Sequence, residues 1–150
     1  MEKRITKEEA WEAYELAGMF PQGGHWTTCP QGVVARTFGI HGSRNVEEHC
    51  EKVLGLDYSL FFAIGADMVS VKAERWWEVP LFLATFATLM PFTCLLFGTK
   101  PLKAFQDGRS VMRHCLRQWE AAQSQRKEQM AREWIKRTAP KEMRELVEVS

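Results

Sequence analysis

The sequence has few cysteines, and none of them forms a close pair. Four are scattered along the chain, and no CxxC motif is present. This number is too small for a disulfide-built scaffold and is typical of proteins from a reducing compartment. The charged N-terminal stretch lacks the apolar core of a signal peptide, so it indicates no classical route of export.

The sequence also lacks the motifs of common enzymes. No G-x-S-x-G, P-loop, G-x-G-x-x-G or H-E-x-x-H is present. The candidate metal ligands are His25, Cys29, His41, His49 and Cys50. Their spacing matches no zinc finger or ribbon, and neighbours on a helix point about 100° apart, so His49 and Cys50 are poorly placed to bind one ion. We therefore expect a non-enzymatic protein with no catalytic residue, metal, cofactor or small-molecule substrate.

Charge is absent from the hydrophobic segment 79–98. At 1.5 Å per residue this segment forms a helix of about 30 Å, which is the hydrocarbon thickness of a bilayer. Trp76 and Trp77 precede it, as in an interfacial aromatic belt, and Lys100 and Lys103 follow it as snorkelling anchors. The pattern predicts a membrane-spanning helix.

Pro91 lies within this segment and is the main argument for an alternative. A proline removes one backbone donor, so it kinks the helix and permits two half-helices buried in a soluble core. The segment has no polar face, however, and a chain of this size has little protein with which to enclose such a helix. Within a membrane, Thr85, Thr88 or Thr93 is expected to satisfy the carbonyl group that Pro91 frees. We therefore favour the membrane interpretation.

Charge is distributed unevenly on the two sides of the segment. Residues 1–78 carry a net charge of −4 and residues 99–150 a net charge of +5. Because basic residues near a membrane segment mark the inner side, the C-terminal region is expected in the cytoplasm. A single crossing places the N-terminal residues outside, whereas a hairpin of 58–71 and 79–98 keeps both ends in the cytoplasm. The residues leave both topologies open.

The rest of the chain is predicted to be mainly α-helical. A capping box of Thr6 and Glu9 begins the first helix, and Gly18 ends it. Residues 32–38 fit either a strand or a helix. Helical periodicity predicts helices over 6–17, 45–54, 110–137 and 141–149. Residues 99–108, which include a proline and a glycine, are predicted to form a connection before the third of these helices.

Residues 58–71 are ambiguous. Their β-prone residues flank Gly65-Ala66-Asp67, which predicts a small β-hairpin. As a helix they reach only about 21 Å, which is short of a complete crossing. We favour the hairpin, or a re-entrant segment, over a second membrane leg. The predicted organisation is an N-terminal helical or α+β domain at 1–78, the hydrophobic segment at 79–98 and a basic helical region at 99–150.

Residues 33–55 have the outline of a helix-turn-helix. The second helix begins Asn45-Val46-Glu47-Glu48, and these glutamates would repel phosphates. We therefore do not expect the protein to bind nucleic acid if the membrane interpretation is correct.

The long C-terminal helix is rich in arginine and lysine and carries two tryptophans. Such a helix is either a solvated surface or a contact for anionic lipid or a partner helix. Its glutamates dilute the lipid-binding pattern and favour contact with another membrane protein or self-association. The candidate contact residues are Arg113, Arg117, Trp119, Arg126, Lys127 and Trp134.

These patterns predict a small, non-enzymatic membrane accessory protein that acts in assembly, exclusion or regulation through contact with another membrane component. The alternative is a soluble, all-α regulatory protein that buries 79–98 in its core or in a dimer interface. In that alternative the helix-turn-helix-like residues 33–55 would be the candidate site for binding nucleic acid.

Overall fold

The structure, a computed structural model, describes residues 4–40, 48, 50–52, 54–70 and 78–138. Its helices are α1 (Lys7–Ala17), α2 (Pro30–Thr37), α3 (Leu56–Ser70), α4 (Glu78–Phe97) and α5 (Lys100–Thr138). The described residues contain no strand, which confirms the prediction of a mainly α-helical protein. Residues 48, 50–52 and 54 of the helix predicted at 45–54 are helical, whereas the helix predicted at 141–149 lies outside the described residues.

The ends of α1 agree with the sequence. The hydroxyl group of Thr6 accepts a hydrogen bond from the backbone N–H of Glu9 at 3.1 Å, and the Glu9 carboxylate accepts from the Thr6 N–H at 3.5 Å. This capping box satisfies two backbone donors that have no partner within the helix. Gly18 ends α1 with a positive φ of 61°, a conformation that glycine adopts without strain.

The structure has a helix, α3, where the sequence predicted a β-hairpin at 58–71. Gly65 was interpreted as part of a turn, but it lies inside α3 at a close crossing with α5. A Cβ atom at Gly65 would collide with the carbonyl oxygen of Phe105, and one at Gly108 with the carbonyl oxygen of Phe62. The two glycines therefore allow the helices to approach closely, and the hairpin prediction is wrong.

The helix predicted at 110–137 is longer than expected, because α5 begins at Lys100. Pro101 lies in its first turn, where no intrahelical partner for a backbone N–H is needed. Gly108, expected in a connection, continues the helix and packs against α3.

Four of the helices share one hydrophobic core. It combines the inner faces of α1, α2 and α3 with the first part of α5. At its edge, Asp107 accepts hydrogen bonds from the Nε of Arg4 at 2.9 Å and from the Tyr58 hydroxyl at 3.3 Å. The buried residues of this core are Ile5, Ala10, Ala13, Tyr14, Val33, Val34, Tyr58, Phe62, Ala104, Val111 and Cys115.

The chain forms two compact units, Met1–Leu116 and Arg117–Ser150. The hydrophobic core belongs to the first unit, and the described part of the second is the remainder of α5. The division predicted from the sequence, into 1–78, 79–98 and 99–150, stays a prediction.

None of the helices, over the residues described, has both the length and the apolarity needed to cross a membrane. The membrane-spanning character predicted for 79–98 is thus not supported by this part of the chain.

Candidate interaction surface

One side of α4 packs against other residues of the first unit, to which α4 belongs. The ring of Phe86 lies on that of Phe105 in α5, with centroids 4.1 Å apart and an angle of 30° between the planes. One turn further on, Met90 is buried, and Thr93 and Cys94 are half-buried. These residues recur at helical spacing, so they form a single narrow contact stripe along α4.

Apart from this stripe, the described side chains of α4 are mainly apolar and exposed to solvent. Its C-terminal end is the most exposed part, with Phe92 at 69%, Leu95 at 83%, Leu96 at 79% and Phe97 at 56% of their full accessible area. We call these four residues the apolar tip. Scattered apolar residues on a surface are ordinary, but a contiguous group of large ones marks a surface that contacts something else.

Two lysines follow the apolar tip in the sequence. Lys100 and Lys103 are exposed in the first turn of α5, which contains no acidic residue. Between residues 79 and 106 the sequence has no aspartate or glutamate at all. The structure therefore combines exposed apolar side chains with two exposed lysines at the α4–α5 connection.

Pro91 is exposed and lies inside α4, which continues through it to Phe97. Its missing N–H leaves the carbonyl of Ala87 without its usual intrahelical donor. The Thr88 hydroxyl donates to the carbonyls of Ala84 at 3.0 Å and Thr85 at 2.9 Å, and Thr93 donates to Leu89 at 2.9 Å. These two threonines thus bond to other carbonyls than the one that Pro91 frees. The kink predicted at Pro91 stays a prediction.

The predicted membrane anchors fall into two groups. Lys100 and Lys103 follow the apolar tip in the chain and are exposed, and their role as anchors stays a prediction. Trp76 and Trp77 lie outside the described residues.

The predicted contact residues of the C-terminal helix are divided between the two units. Arg113 is exposed in the first unit, and the others lie in the second. There Trp134 is 66% exposed, and Met130, which was not among the predicted contact residues, is 70% exposed. Trp119 is half-buried. The remaining predicted contact residues, Arg117, Arg126 and Lys127, are all exposed.

A cavity of about 390 Å³ opens beside α2 and α3, and its walls hold two of the candidate metal ligands, Cys29 and Cys50. Burial raises the pKa of Cys29 to about 11, against the lowering effect of backbone N–H groups of Gln31 and Gly32, and burial also raises the pKa of Cys50. Both thiols are therefore protonated at neutral pH, which makes them poor metal ligands and poor nucleophiles. The other lining residues are Gly24, Trp26, Gln31, Gly32, Glu51, Leu56, Ser59, Leu60 and Ala63.

No group of three or more histidine, cysteine, aspartate or glutamate side chains suited to a metal ion occurs within the described ranges. His41 and His49, two of the candidate ligands, lie outside those ranges. The prediction that the protein binds no metal stays a prediction.

Two of the residues that line this cavity, Gln31 and Ser59, form a buried pair that was not predicted from the sequence. The Gln31 amide donates to the Ser59 hydroxyl, and both side chains are buried. A glutamine one residue after a helix-starting proline gave no signal of burial, because its partner is 28 residues further along the chain. The sequence showed that the end of α4 is hydrophobic but not that it is exposed, since composition does not show which side of a helix packs against the rest of the protein.

No protein-family model matches this sequence, and comparison with curated proteins and with solved structures finds no match.

Proposed function

We propose that the protein is a non-enzymatic membrane accessory protein. In this proposal α4 enters the apolar phase of a bilayer from the cytoplasmic side, and the chain acts by contact with another membrane component. Assembly, exclusion and regulation are the roles that such a contact serves.

The exposure of the apolar tip is the observation that supports this proposal. Removing a large apolar side chain from water contributes about 1.5–3 kcal/mol. Since its four residues are between 56% and 83% exposed, their transfer to an apolar phase is favourable by about 5 kcal/mol. A water-soluble monomer gains nothing from displaying this surface, whereas a membrane-bound protein gains its attachment.

A second candidate is a soluble all-α regulator in which α4 is covered by another copy of the chain. The narrow stripe of Phe86 and Met90 favours it, because α4 already packs one side against protein and a second copy would extend that packing. Obligate dimer interfaces are apolar in the same way as a divided core.

Flotation of the purified protein with lipid vesicles distinguishes the two candidates. We expect the protein to float with vesicles and Leu95→Gln to weaken binding about tenfold to a hundredfold, as the loss of one leucine contact predicts. Leu16→Gln is the matched control, because Leu16 on α1 is 76% exposed and should not matter. A protein that stays with the aqueous phase as a dimer, and becomes a monomer on Leu95→Gln, would establish the soluble regulator instead.

Orientation is tested with a cysteine placed on the C-terminal helix. Cys29 and Cys115 are buried and unsuited to labelling, whereas position 124 is exposed. In a Cys94→Ser background, Ser124→Cys should react with a membrane-impermeant maleimide only after cells are opened. Labelling of intact cells would place this region outside and contradict the proposed orientation.

A further inference from the structure

We propose that the cavity beside α2 and α3 binds a small, uncharged, aromatic molecule with an amide-type edge, in which an N–H group lies next to a carbonyl oxygen. The cavity has a volume of about 390 Å³, within the range of about 300–1,000 Å³ that is usual for small-molecule sites. No residue of the apolar tip is among its described lining residues, so binding there is independent of the proposed membrane function.

A buried polar pair in the wall of the cavity supplies the recognition. The amide nitrogen of Gln31 donates to the Ser59 hydroxyl, and each of the two residues is only 8% exposed. Within the described part of the chain, the Oε1 atom of Gln31 accepts no hydrogen bond and is not enclosed by protein, so it faces the open space of the cavity. The Ser59 hydroxyl has no acceptor there for its own proton. A ligand that bonds to both groups would remove the penalty of leaving them without partners.

These two unused groups specify the polar edge of the ligand. A hydroxyl donor beside an amide acceptor is complementary to a carbonyl oxygen next to an N–H group, as in a lactam. If the glutamine amide turns over, the pair presents an amide donor and a hydroxyl acceptor, which fit the same edge in the reverse direction. The pair therefore selects molecules that carry both groups over rings of the same shape that lack them.

Most of the remaining lining is apolar and fits the body of an aromatic molecule. On α3, Leu56, Leu60 and Ala63 line the cavity at helical spacing with Ser59, so one face of this helix forms a wall. Leu56 is 60% and Leu60 51% exposed, and a bound ring would remove part of this apolar area from water. Trp26 adds an aromatic surface from the segment that precedes α2.

Trp26 is held in place before a ligand binds. The Cζ atom of Arg36 lies 5.8 Å from the centre of the indole ring, and the same guanidinium group donates to the carbonyl of Thr27. A Cβ atom at Gly32 would collide with the carbonyl oxygen of Trp26, so the missing side chain lets this segment lie directly on α2. A wall that is already formed loses little conformational freedom on binding, which favours affinity.

The charge of the lining residues indicates an uncharged ligand. Among those that the structure describes, Glu51 is the residue whose side chain is ionised at neutral pH, and no lysine or arginine lines the cavity with it. An anion would therefore be repelled. Cys29 and Cys50 line the cavity as neutral thiols, which are poor nucleophiles, so we expect the ligand to be bound without being altered.

The experiment measures binding of carbostyril, a flat bicyclic lactam, by NMR titration of the isotope-labelled, full-length protein. We expect a Kd of about 1 mM or lower, which ligands of this size reach. Quinoline has the same two rings without the carbonyl and the N–H group. It should bind about tenfold more weakly or worse, because it loses the hydrogen bonds to the polar pair.

Two variants assign the binding to this cavity. Ser59→Ala removes one hydrogen bond, so it should weaken binding of carbostyril about tenfold and leave that of quinoline unchanged, which also shows that the cavity is intact. Ala63→Phe fills the cavity with a ring, leaves the polar pair unaltered and should abolish binding of both compounds. Ala131→Phe is the matched control, because it adds the same side chain at an exposed position of the second unit.

The opposite results overturn the inference. Equal binding of the two compounds, or binding of neither, would mean that the polar pair selects nothing, and so would an equal loss of both in Ser59→Ala. Binding that persists in Ala63→Phe, or that is also lost in Ala131→Phe, would mean that the compounds do not occupy this cavity. None of these results affects the proposed membrane function, which is tested by flotation with vesicles.

Discussion

Two glycines, Gly65 and Gly108, allow α3 and α5 to approach closely, and adding one methyl group at either glycine tests this contact. We expect Gly108→Ala to lower the free energy of unfolding by about 1–3 kcal/mol, because its Cβ would meet the carbonyl oxygen of Phe62 at a backbone that has no room to move. Alanine is otherwise the better helix former by about 1 kcal/mol. The sign of the change in the free energy of unfolding therefore shows whether the steric clash or the helix propensity dominates. Denaturation in urea, followed by circular dichroism, measures the change.

The control for this substitution is Gln106→Ala, an exposed position two residues away on the same helix. It should change stability by less than about 0.5 kcal/mol. If Gly108→Ala were instead as stable as the unaltered protein or more so, the close crossing of α3 and α5 would not exist in solution.

Buried thiols make stability depend on alkaline pH. Burial raises the pKa of Cys29 from its ordinary value of 9.0 to about 11, so the folded state favours the neutral thiol. The contribution of this group is fully present below pH 9 and is lost as pH rises through 11. We therefore expect stability to decrease across this interval, by at most about 1.4 kcal/mol per pH unit for each such group.

Urea midpoints at the two ends of the interval measure this slope, and the variant Cys29→Ala shows how much of it belongs to one thiol. The pKa of Cys115 is also raised by burial, from 9.0 to about 12. In the Cys29→Ala variant Cys115 should therefore still lower stability with rising pH, over an interval that begins at the same pH and extends to 12. A slope that Cys29→Ala leaves unchanged would mean that Cys29 is exposed in solution.

At the scale of helices, Pro91 destabilises α4, and the free energy of this effect can be measured by substitution. A proline in a helix interior is about 3 kcal/mol less favourable than alanine. Because Pro91 is exposed and makes α4 lose one backbone hydrogen bond, Pro91→Ala should raise the free energy of unfolding by about 1–3 kcal/mol and increase helicity. Circular dichroism during thermal unfolding measures both effects.

Thr88→Ala accompanies it as a control. This substitution removes a hydroxyl that bonds to Ala84 and Thr85, without changing the Ala87 carbonyl. It should have little effect in either background. A decrease in stability on Pro91→Ala would show that the proline is needed for a conformation of α4 other than the continuous helix.

The helices that the sequence predicted well are those whose signals are local. Thr6, Glu9 and Gly18 lie within thirteen positions of one another and determine α1 by their own hydrogen bonds and backbone conformation. The start of α5 was missed because the proline and the glycine of residues 99–108 were interpreted as a connection, although Pro101 is favourable in the first turn of a helix.

The errors at Gly65 and Gly108 have a different physical cause. A glycine permits a turn and also permits the close approach of two backbones. The sequence alone does not distinguish these two roles, because both require the same residue. Which one applies depends on a neighbour that is far along the chain, such as the carbonyl of Phe105 for Gly65. The same holds for the surface of α4, whose hydrophobicity was evident but whose packed stripe through Phe86 and Met90 depends on α5.

At the scale of the whole molecule, protection from hydrogen exchange should change along α5. Its buried residues end at Cys115, and the residues described beyond it in the second unit are exposed or half-buried. Amide groups that need global unfolding in order to exchange therefore belong to the first part of the helix. We expect amides at 104–115 to exchange orders of magnitude more slowly than those at 120–135, as measured by mass spectrometry of peptides.

Repeating the hydrogen-exchange measurement at several protein concentrations, and with vesicles, tests whether residues 120–135 contact a partner. An isolated helix of this kind is marginal in water, so slow exchange at 120–135 requires that this part of the helix packs against something else. Protection that increases with protein concentration would identify self-association through Trp119, Met130 and Trp134. Protection that appears only with vesicles would identify lipid contact, and Trp134→Gln should then remove it while leaving 104–115 unchanged. Fast exchange in both conditions would show that this part of α5 is a solvated surface, with the contacts of the protein confined to its first unit.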